Sequence, residues 1–261
     1  MADTWISVAE GVYYRTCSGF STNVGLVVGA EAALVVDTRS SAREGREMLA
    51  EVQALAPVPV RHVVNTHFHF DHCFGNEAFL PAAIWGHRLC ASRMLQEGEA
   101  EKAMVVKALP DRAEVTITPP TRLVDTRAEI DLGGRTVVLW HPGVGHTDHD
   151  LVVDIPDADV TFTGDLLEEG MAPAFGDSWP AQWPSALDRL LRSALGTIIP
   201  GHGKQVSRSF VEAARDDLST VVDLFRTADD RAEIIARSPF PRDHTLVALH
   251  RFLATTEGKG S

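Results

Sequence analysis

The sequence predicts an α/β (α+β) fold in which two β-sheets are flanked by helices. Two observations predict it. Short apolar runs with the residue pattern of strands alternate along the chain with amphipathic segments that have helical spacing. Polar clusters stand where several of the predicted strands end, which is where a sheet-based fold places its functional side chains.

The composition is that of an ordinary globular protein. Of 261 residues, 44% are hydrophobic and 23% are charged, which excludes disordered, collagen-like and coiled-coil classes. No run approaches the roughly 18 apolar residues of a membrane-spanning helix. No repeat or linker rich in Gly and Ser divides the chain, so we expect residues 1–261 to form a single domain with a helical C-terminal tail from about residue 206.

The net charge indicates which kinds of partner the protein can bind. A net charge of −12, from 36 acidic and 24 basic residues, gives no attraction to phosphate backbones or to anionic lipids. We therefore expect a small-molecule substrate, no nucleic acid and no membrane partner, while the oligomeric state stays open. The first residues lack the pattern of a secretory signal, so a cytoplasmic location is expected. The three cysteines show no close pairing, which favours buried thiols.

The first part of the chain is predicted to contain four strands and one helix. Ser40 or Ser41 is a suitable N-cap for the helix, and Pro57 marks its end. The predicted strands cover residues 12–15, 23–29, 32–37 and 60–66, and the helix covers residues 41–56.

The second part alternates strands and helices. Gly133 and Gly134 predict a tight turn between two strands. Strands are predicted over residues 84–86, 121–132, 135–140, 150–155, 160–163 and 197–199. Helices are predicted over residues 87–108, 184–195 and 207–228, and the tail over residues 229–254 is also expected to be helical.

The strongest functional signal follows the apolar strand at residues 62–65. His67, His69, Asp71 and His72 place four possible metal ligands within six residues. If the segment is extended, His67, His69 and Asp71 project to the same side, and a turn at Asp71 lets His72 face a second point nearby. A polar loop with hydrogen-bonded histidines is the alternative, but this density of ligands favours a metal site that two adjacent metals could share.

Three further motifs end other predicted strands. His146 stands in Gly143-Val144-Gly145-His146-Thr147, Asp165 in Phe162-Thr163-Gly164-Asp165, and His202 in Pro200-Gly201-His202-Gly203. Each glycine allows a tight turn or a close backbone approach, which helps a short side chain reach a shared centre. Each motif is weak alone, but their common form and the upstream histidines strengthen all three.

Taken together, these residues resemble a known family. His67-Phe68-His69-Phe70-Asp71-His72 fits the His-x-His-x-Asp-His signature of the metallo-β-lactamase-fold hydrolases. His146, Asp165 and His202 follow in the order of that family's remaining ligands, and Leu34-Val35-Val36-Asp37 is similar to its first motif. The resemblance covers roughly residues 23–206 and leaves the last 55 or so residues outside it.

The resemblance implies a four-layer αββα sandwich with a binuclear metal centre at one edge. One metal would be bound by His67, His69 and His146, and the other by Asp71, His72 and His202, with Asp165 bridging the two. Imidazoles and carboxylates without a thiolate suit Zn²⁺, and the same donors are compatible with Fe or Mn.

The expected chemistry is hydrolysis. Two metals about 3.5–4 Å apart can hold a bridging hydroxide, because metal binding lowers the pKa of water to about 7. Asp71 is the candidate catalytic residue, since its carboxylate can orient the nucleophile and later move a proton.

Four further residues are candidates for supporting roles. Asp37 is expected to orient a metal ligand, with a turn-capping role as the alternative. His149 could contact substrate, orient a ligand or lie at the surface. Phe175 and Trp179 belong to the irregular segment at residues 168–183 and could line the substrate pocket or pack the segment down.

Two departures from the β-lactam-cleaving branch bear on the substrate. That branch typically has Cys at the bridging position, where this chain has Asp165, and it often has a lysine where this chain has Glu168 and Glu169. An ester, thioester, lactone or amide is therefore the expected substrate. A β-lactamase is one alternative, and an iron-dependent enzyme like the persulfide dioxygenases is another, although seven retained ligands favour two metals. The net charge disfavours an RNA-processing role.

Overall fold

Two β-sheets lie at the centre of the fold. In the computed structural model, which describes residues 4–193 and 196–257, the first sheet has seven strands in sequence order. Strands one to four are antiparallel to their neighbours, and strands four to seven are parallel. These strands are β1 (Ile6–Ala9), β2 (Val12–Thr16), β3 (Asn23–Val28), β4 (Ala33–Val36), β5 (Val60–Val64), β6 (Ala83–His87) and β7 (Arg122–Val124).

The second sheet has five strands. Neighbouring strands in this sheet are also consecutive in the chain, and the last two pair in parallel while the others are antiparallel. The strands are β8 (Arg127–Asp131), β9 (Thr136–Trp140), β10 (Val152–Ile155), β11 (Val160–Phe162) and β12 (Thr197–Ile199).

The described residues contain seven α-helices. The first begins where Ser41 accepts a hydrogen bond from the Glu44 amide, as an N-cap does. The helices are α1 (Ala42–Leu55), α2 (Phe70–Cys73), α3 (Arg88–Ala108), α4 (Trp183–Arg192), α5 (Arg208–Thr227), α6 (Arg231–Arg237) and α7 (Arg242–Glu257).

Three apolar clusters join these elements into four layers. In β4, Leu34 and Val36 point into a cluster between the two sheets, whereas Ala33 and Val35 point to the opposite face. That opposite face packs against α1, and the outer face of the second sheet packs against α4, α5 and α7. Because both faces of the central strands are covered, β3 and β4 carry nearly continuous apolar runs. The four layers confirm the αββα sandwich that the resemblance implies.

The strand predicted over residues 121–132 is wrong as a single element. The chain leaves the first sheet after β7 and enters the second at β8, with a two-residue connection at Asp125 and Thr126. Both strands are half-buried, so the apolar pattern continues from one to the other. The sequence therefore does not show where the chain passes from the first sheet to the second. The sequence prediction also left out β1, and the helical tail is divided into α6 and α7.

Two smaller expectations concern cysteines and membranes. All three cysteine side chains are buried, as the sequence predicts. Across residues 4–193 and 196–257, the structure contains no helix with the length and apolarity needed to cross a membrane.

The cluster between the sheets predicts a measurable stability difference. Leu139 of β9 is fully buried there, whereas Leu95 of α3 is 73% exposed. We expect Leu139→Ala to lower the free energy of unfolding by about 2–5 kcal/mol, because it removes buried methyl groups and leaves a cavity. The matched control Leu95→Ala should change it by about 0.5 kcal/mol or less. Urea titrations followed by circular dichroism measure both, and equal effects would contradict the assigned core.

Candidate metal centre

Seven side chains with metal-binding atoms converge where several strands end. His67 and His69 lie between β5 and α2, while Asp71 and His72 lie in α2. The other three follow β9, β11 and β12 and are His146, Asp165 and His202. The structure places them in two groups, each with ligand atoms within 4.8 Å of one another: His67, His69, His146 and Asp165 in the first group, and Asp71, His72 and His202 in the second.

The first group is built around three imidazole nitrogens. His69 Nδ1 lies 3.0 Å from His67 Nε2 and 3.0 Å from His146 Nε2. Of these rings, His67 and His146 are almost completely buried. Nitrogen atoms that crowd in this way repel one another unless a proton or a cation lies between them, so the arrangement suits a bound cation.

The second group lies beside the first and shares a carboxylate with it. His72 Nε2 is 3.4 Å from His202 Nε2, and Asp71 Oδ2 is 3.5 Å from the same His202 atom. Asp165 Oδ2 lies 3.2 Å from His202 Nε2 and 3.6 Å from His67 Nε2, while Asp165 Oδ1 lies 3.2 Å from His72 Nε2. Asp165 therefore contacts both groups, which is the position of a bridging ligand.

Hydrogen bonds on the far side of the rings fix how His67 and His72 face the centre. His72 Nδ1 donates to Asp37 Oδ2 over 2.8 Å. The Thr66 hydroxyl also donates to Asp37 Oδ2, so Thr66 Oγ1 is left to accept from His67 Nδ1 at 3.0 Å. In both rings Nδ1 keeps its hydrogen, and Nε2 is the atom that faces the centre.

The same arrangement recurs at His69 and His202. His69 Nε2 donates to Asp177 Oδ1 over 3.1 Å, and His202 Nδ1 donates to the Phe20 carbonyl over 2.8 Å. Among the described residues, His146 Nδ1 is buried without a hydrogen-bond partner. Four of the five rings thus have their orientation set by an acceptor outside the centre, as is usual for histidine ligands of metals.

Burial and nearby carboxylates shift the pKa values of the histidines in opposite directions. Burial holds the pKa of His67 well below its ordinary value and lowers that of His146 to about 4. Burial also opposes protonation of His69 and His202, but Asp177 and Asp165, respectively, outweigh it and raise the pKa of each to about 9. The carboxylates create a negative potential that favours positive charge at the inward nitrogens, whether a proton or a metal ion.

The donor set and its burial fit a metal. Asp165 Oδ1 is a buried carboxylate oxygen without a hydrogen-bond donor in the part of the chain that the structure describes, and burying such an atom unpaired is costly. Imidazole nitrogens and carboxylate oxygens are the donors that zinc accepts. The residues present therefore fit a pair of divalent ions.

Two glycines allow the polypeptide to approach closely at this point. Gly164 has φ +53, and a side chain there would meet Thr66 at 2.7 Å. A Cβ atom at Gly201 would lie 1.8 Å from Asp165 Oδ1. Both glycines stand beside a candidate ligand, as the sequence motifs suggest, and each keeps space for the carboxylate or the turn that carries it.

The extended conformation predicted for residues 67–71 is wrong. The strand ends at Val64, and Phe70 already begins the single turn of α2. Asp71 therefore does not project with His67 and His69, and it lies with His72 and His202 instead. In a helical turn, successive side chains are rotated by about 100° around the helix axis, and this rotation separates Asp71 from the first group.

The supporting candidates occupy different places. Asp37 contacts His72 and Thr66, as described above. His149 is fully buried, so the surface alternative is wrong, and its Nε2 accepts from the Phe68 amide over 3.1 Å. Phe175 is buried against Trp183, with ring centroids 5.6 Å apart, and therefore packs its segment down. The Trp179 amide donates to the Gly145 carbonyl over 2.8 Å, next to His146.

Two contacts escaped the sequence analysis. Asp177 binds His69, and the Thr22 hydroxyl donates to Asp71 Oδ2 over 2.8 Å. Asp177 stands in the irregular segment at residues 168–183, where nothing in the local sequence distinguishes it from the other acidic residues. Thr22 follows a loop and forms an isolated bridge with His202, which only the fold reveals.

Comparisons with known proteins agree with this geometry. Residues 17–202 match the family described as "Metallo-beta-lactamase superfamily". A "Metallo-beta-lactamase type 2" from Bacillus sp. (strain 170) is 26% identical over 186 residues, which cover 69% of this chain and 66% of that protein. An "Acyl-coenzyme A thioesterase MBLAC2" from Gallus gallus is 28% identical over 211 residues, which cover 71% of this chain and 73% of that protein.

A solved structure shares the fold. A metallo-β-lactamase from Pontibacter korlensis superimposes with a TM-score of 0.68 at 22% identity, over 83% of this chain and 99% of that one. The family match extends over most of the chain and ends at His202, the last of the seven converging side chains. The chain belongs to the metallo-β-lactamase superfamily.

Proposed function

We propose that the protein is a binuclear metal-dependent hydrolase, with zinc as its metal, that cleaves an ester, thioester, lactone or amide bond. One observation carries the proposal. Five imidazole rings and two carboxylates converge in two groups that share Asp165, and four of the rings are oriented from outside by acceptors. The names of the two relatives given above are those of hydrolases, which supports the reaction class.

The proposed ligand assignment follows the two groups. His67, His69 and His146 would hold one ion, Asp71, His72 and His202 the other, and Asp165 would bridge them. When bound, such a pair of ions would lower the pKa of a water molecule towards neutrality and polarise the carbonyl oxygen of the substrate. Zinc is proposed because these donors suit it, and Fe or Mn would accept the same set.

Asp71 is the residue that we propose moves the proton. Its Oδ2 accepts from the Thr22 hydroxyl over 2.8 Å, which fixes the carboxylate at the edge of the second group. In this position it can accept a proton from the attacking water and deliver it to the leaving group.

A neutral acyl substrate is preferred over a β-lactam because Glu168 and Glu169 stand where the β-lactam-cleaving branch often has a lysine. Both carboxylates already accept hydrogen bonds from backbone amides. Glu168 Oε1 accepts from the Ala174 amide over 2.9 Å, and Glu169 Oε2 accepts from the Lys204 amide over 2.9 Å. Neither residue supplies the positive charge that would attract an anionic substrate. β-Lactam hydrolysis is the second candidate function, favoured by the similarity to the Bacillus protein. The predictions of a small-molecule substrate without nucleic acid, and of a cytoplasmic location, stay predictions.

The first test is metal content measured together with hydrolysis. We expect about two zinc ions per chain by elemental analysis after loading and dialysis, because there are two groups of ligands. A panel of thioesters, lactones, β-lactams and phosphodiesters should show hydrolysis of thioester or lactone that chelation removes and zinc restores. One iron per chain together with oxygen uptake would instead indicate an oxidative enzyme, and undiminished turnover after complete chelation would overturn the proposal.

Asp71→Ala should reduce hydrolysis by roughly 100-fold or more, since it removes the proposed proton carrier. Steady-state kinetics of the zinc-loaded variant measure the loss, and circular dichroism checks that the fold is kept. Asp216→Ala is the matched control, because Asp216 is an exposed aspartate of α5 that pairs with Arg215. Full activity in Asp71→Ala would rule out the assigned role.

Asp177→Ala should weaken zinc binding by at least about tenfold, because His69 Nε2 loses the acceptor that orients the ring. Competition with a chelator of known affinity measures this without reference to activity. Asp125→Ala is the control, since Asp125 pairs only with exposed Arg88 among the ion pairs of the described residues.

The contribution of α7 can be measured in the same assay. Arg251 donates to the Asp177 and Ser178 carbonyls over 2.8 and 3.0 Å, so Arg251→Ala should also weaken zinc binding. Because Arg251 acts through the segment that carries Asp177, the double variant should bind zinc no more weakly than Asp177→Ala alone. Additive losses would show that Arg251 acts independently.

A further inference from the structure

A cavity of about 490 Å³ lies beside the segment that follows Asp165. Its volume is within the roughly 300–1,000 Å³ of small-molecule pockets. Three parts of the chain surround it: residues 168–173, one face of α5, and residues 239–241 between α6 and α7.

The lining is mostly apolar, and its ionisable side chains are acidic. On α5, the other lining residues follow the first one by three, four and seven positions, as residues on one face of a helix do. These four residues are Phe210, Ala213, Ala214 and Asp217. Asp217 and Glu168 are its acidic residues, and no Lys or Arg is among the described residues that line the cavity. Such a cavity accepts an apolar group and offers no positive charge to an anionic one.

Glu168 joins the cavity to the candidate metal centre. Its backbone forms a parallel bridge with His202, and the next amide, at Glu169, donates to the His202 carbonyl over 3.0 Å. Glu168 also lines the cavity. A group that occupies the cavity therefore lies next to the backbone that carries one of the proposed ligands.

Aromatic packing fixes the part of the cavity wall that residues 239–241 form. Phe240 packs on Phe175 with ring centroids 5.4 Å apart, Phe175 packs on Trp183 at 5.6 Å, and Trp183 contacts the His146 ring at 5.6 Å. His244 Nδ1 also donates to the Pro173 carbonyl over 3.1 Å. The wall is thus fixed relative to the centre, and α5 and residues 239–241 lie beyond the region that matches the family.

We propose that this cavity is a substrate subsite that takes an uncharged apolar arm, such as the acyl chain of a thioester or ester. The proposal rests on the proposed function, because it assumes that the scissile bond lies at the metal centre. Each methylene buried in the cavity should strengthen binding by roughly fourfold. An anionic arm would lose its hydration without meeting a positive charge, which explains the selection against it.

Binding can be measured without catalysis by nuclear magnetic resonance of ¹³C-labelled methionine methyl groups in the zinc-loaded protein. Met171 lines the cavity, Met48 and Met94 are buried elsewhere, and Met104 is 59% exposed. We expect octan-1-ol to shift the Met171 signal in a saturable way and to leave the other three unchanged. Octane-1-sulfonate should bind at least tenfold more weakly, because no Lys or Arg among the described lining residues offsets the cost of taking its charge out of water.

Two variants locate the binding site. Ala213 is exposed on the cavity face of α5, so Ala213→Trp fills the cavity without entering the core. Thr220→Trp is the matched control at an exposed position of the same helix that does not belong to the lining. The octan-1-ol shift should be lost in Ala213→Trp and kept in Thr220→Trp. A Met171 signal that does not respond, a shift that survives in Ala213→Trp, or equal binding of the sulfonate would overturn the proposal.

Kinetics separate this proposal from the proposed function. The ratio of kcat/KM for an octanoyl thioester to that for an acetyl thioester should fall at least tenfold in Ala213→Trp and stay unchanged in Thr220→Trp. Hydrolysis without any dependence on chain length would overturn the subsite and leave the proposed function intact. A saturable Met171 shift in a protein that hydrolyses no member of the panel would support the cavity as a binding site and overturn the proposed function.

Discussion

The structure depends on a single constraint: seven polar side chains, six of them buried and His69 half-buried, lie close together and must be oriented so that their lone pairs face one another. Burying such groups without partners is costly. Asp37, Asp177 and the Phe20 carbonyl reduce that cost by accepting hydrogen bonds on the outer side of the rings. These acceptors come from the end of β4, from the segment after β11 and from the loop before β3. The two-sheet fold is needed to bring them to one place.

Much of the centre could be predicted because its signal is compact. Four candidate ligands fall within six residues, and the remaining three stand beside glycines at strand ends. The partition into two groups that share Asp165 is also the one that the family resemblance implies. The local conformation was harder to predict, since the period of two expected for residues 67–71 gives way to the turn of α2. No propensity in this short segment decides between them.

The outer contacts could not be predicted, because they join residues that are distant in sequence. Asp177 and His69 are separated by 108 positions, and Thr22 and Asp71 by 49. An acidic residue in an irregular segment has no periodicity that reveals its partner. The change of sheet between β7 and β8 was hidden for a similar reason, as both strands are apolar on one face. Long-range pairing decides such details, and a single sequence does not record it.

The C-terminal helices lie outside the region that matches the family, yet they contact the segment nearest the centre. Arg251 binds the carbonyls at Asp177 and Ser178, and Phe240 packs on Phe175. Helix α5 and the connection between α6 and α7 form part of the wall of the apolar cavity. The region that matches the family thus supplies the donors, and residues beyond it position the segment that orients one of them and shape the adjoining space.

The protonation of the five imidazole rings tests the central claim most directly. Long-range ¹⁵N–¹H spectra of the histidine rings, recorded before and after zinc is added, report which nitrogen carries a hydrogen. The account predicts that Nδ1 of His67, His72 and His202 and Nε2 of His69 keep their hydrogen throughout, while the inward nitrogens shift to values typical of metal coordination. Inward nitrogens that do not respond to zinc would contradict it.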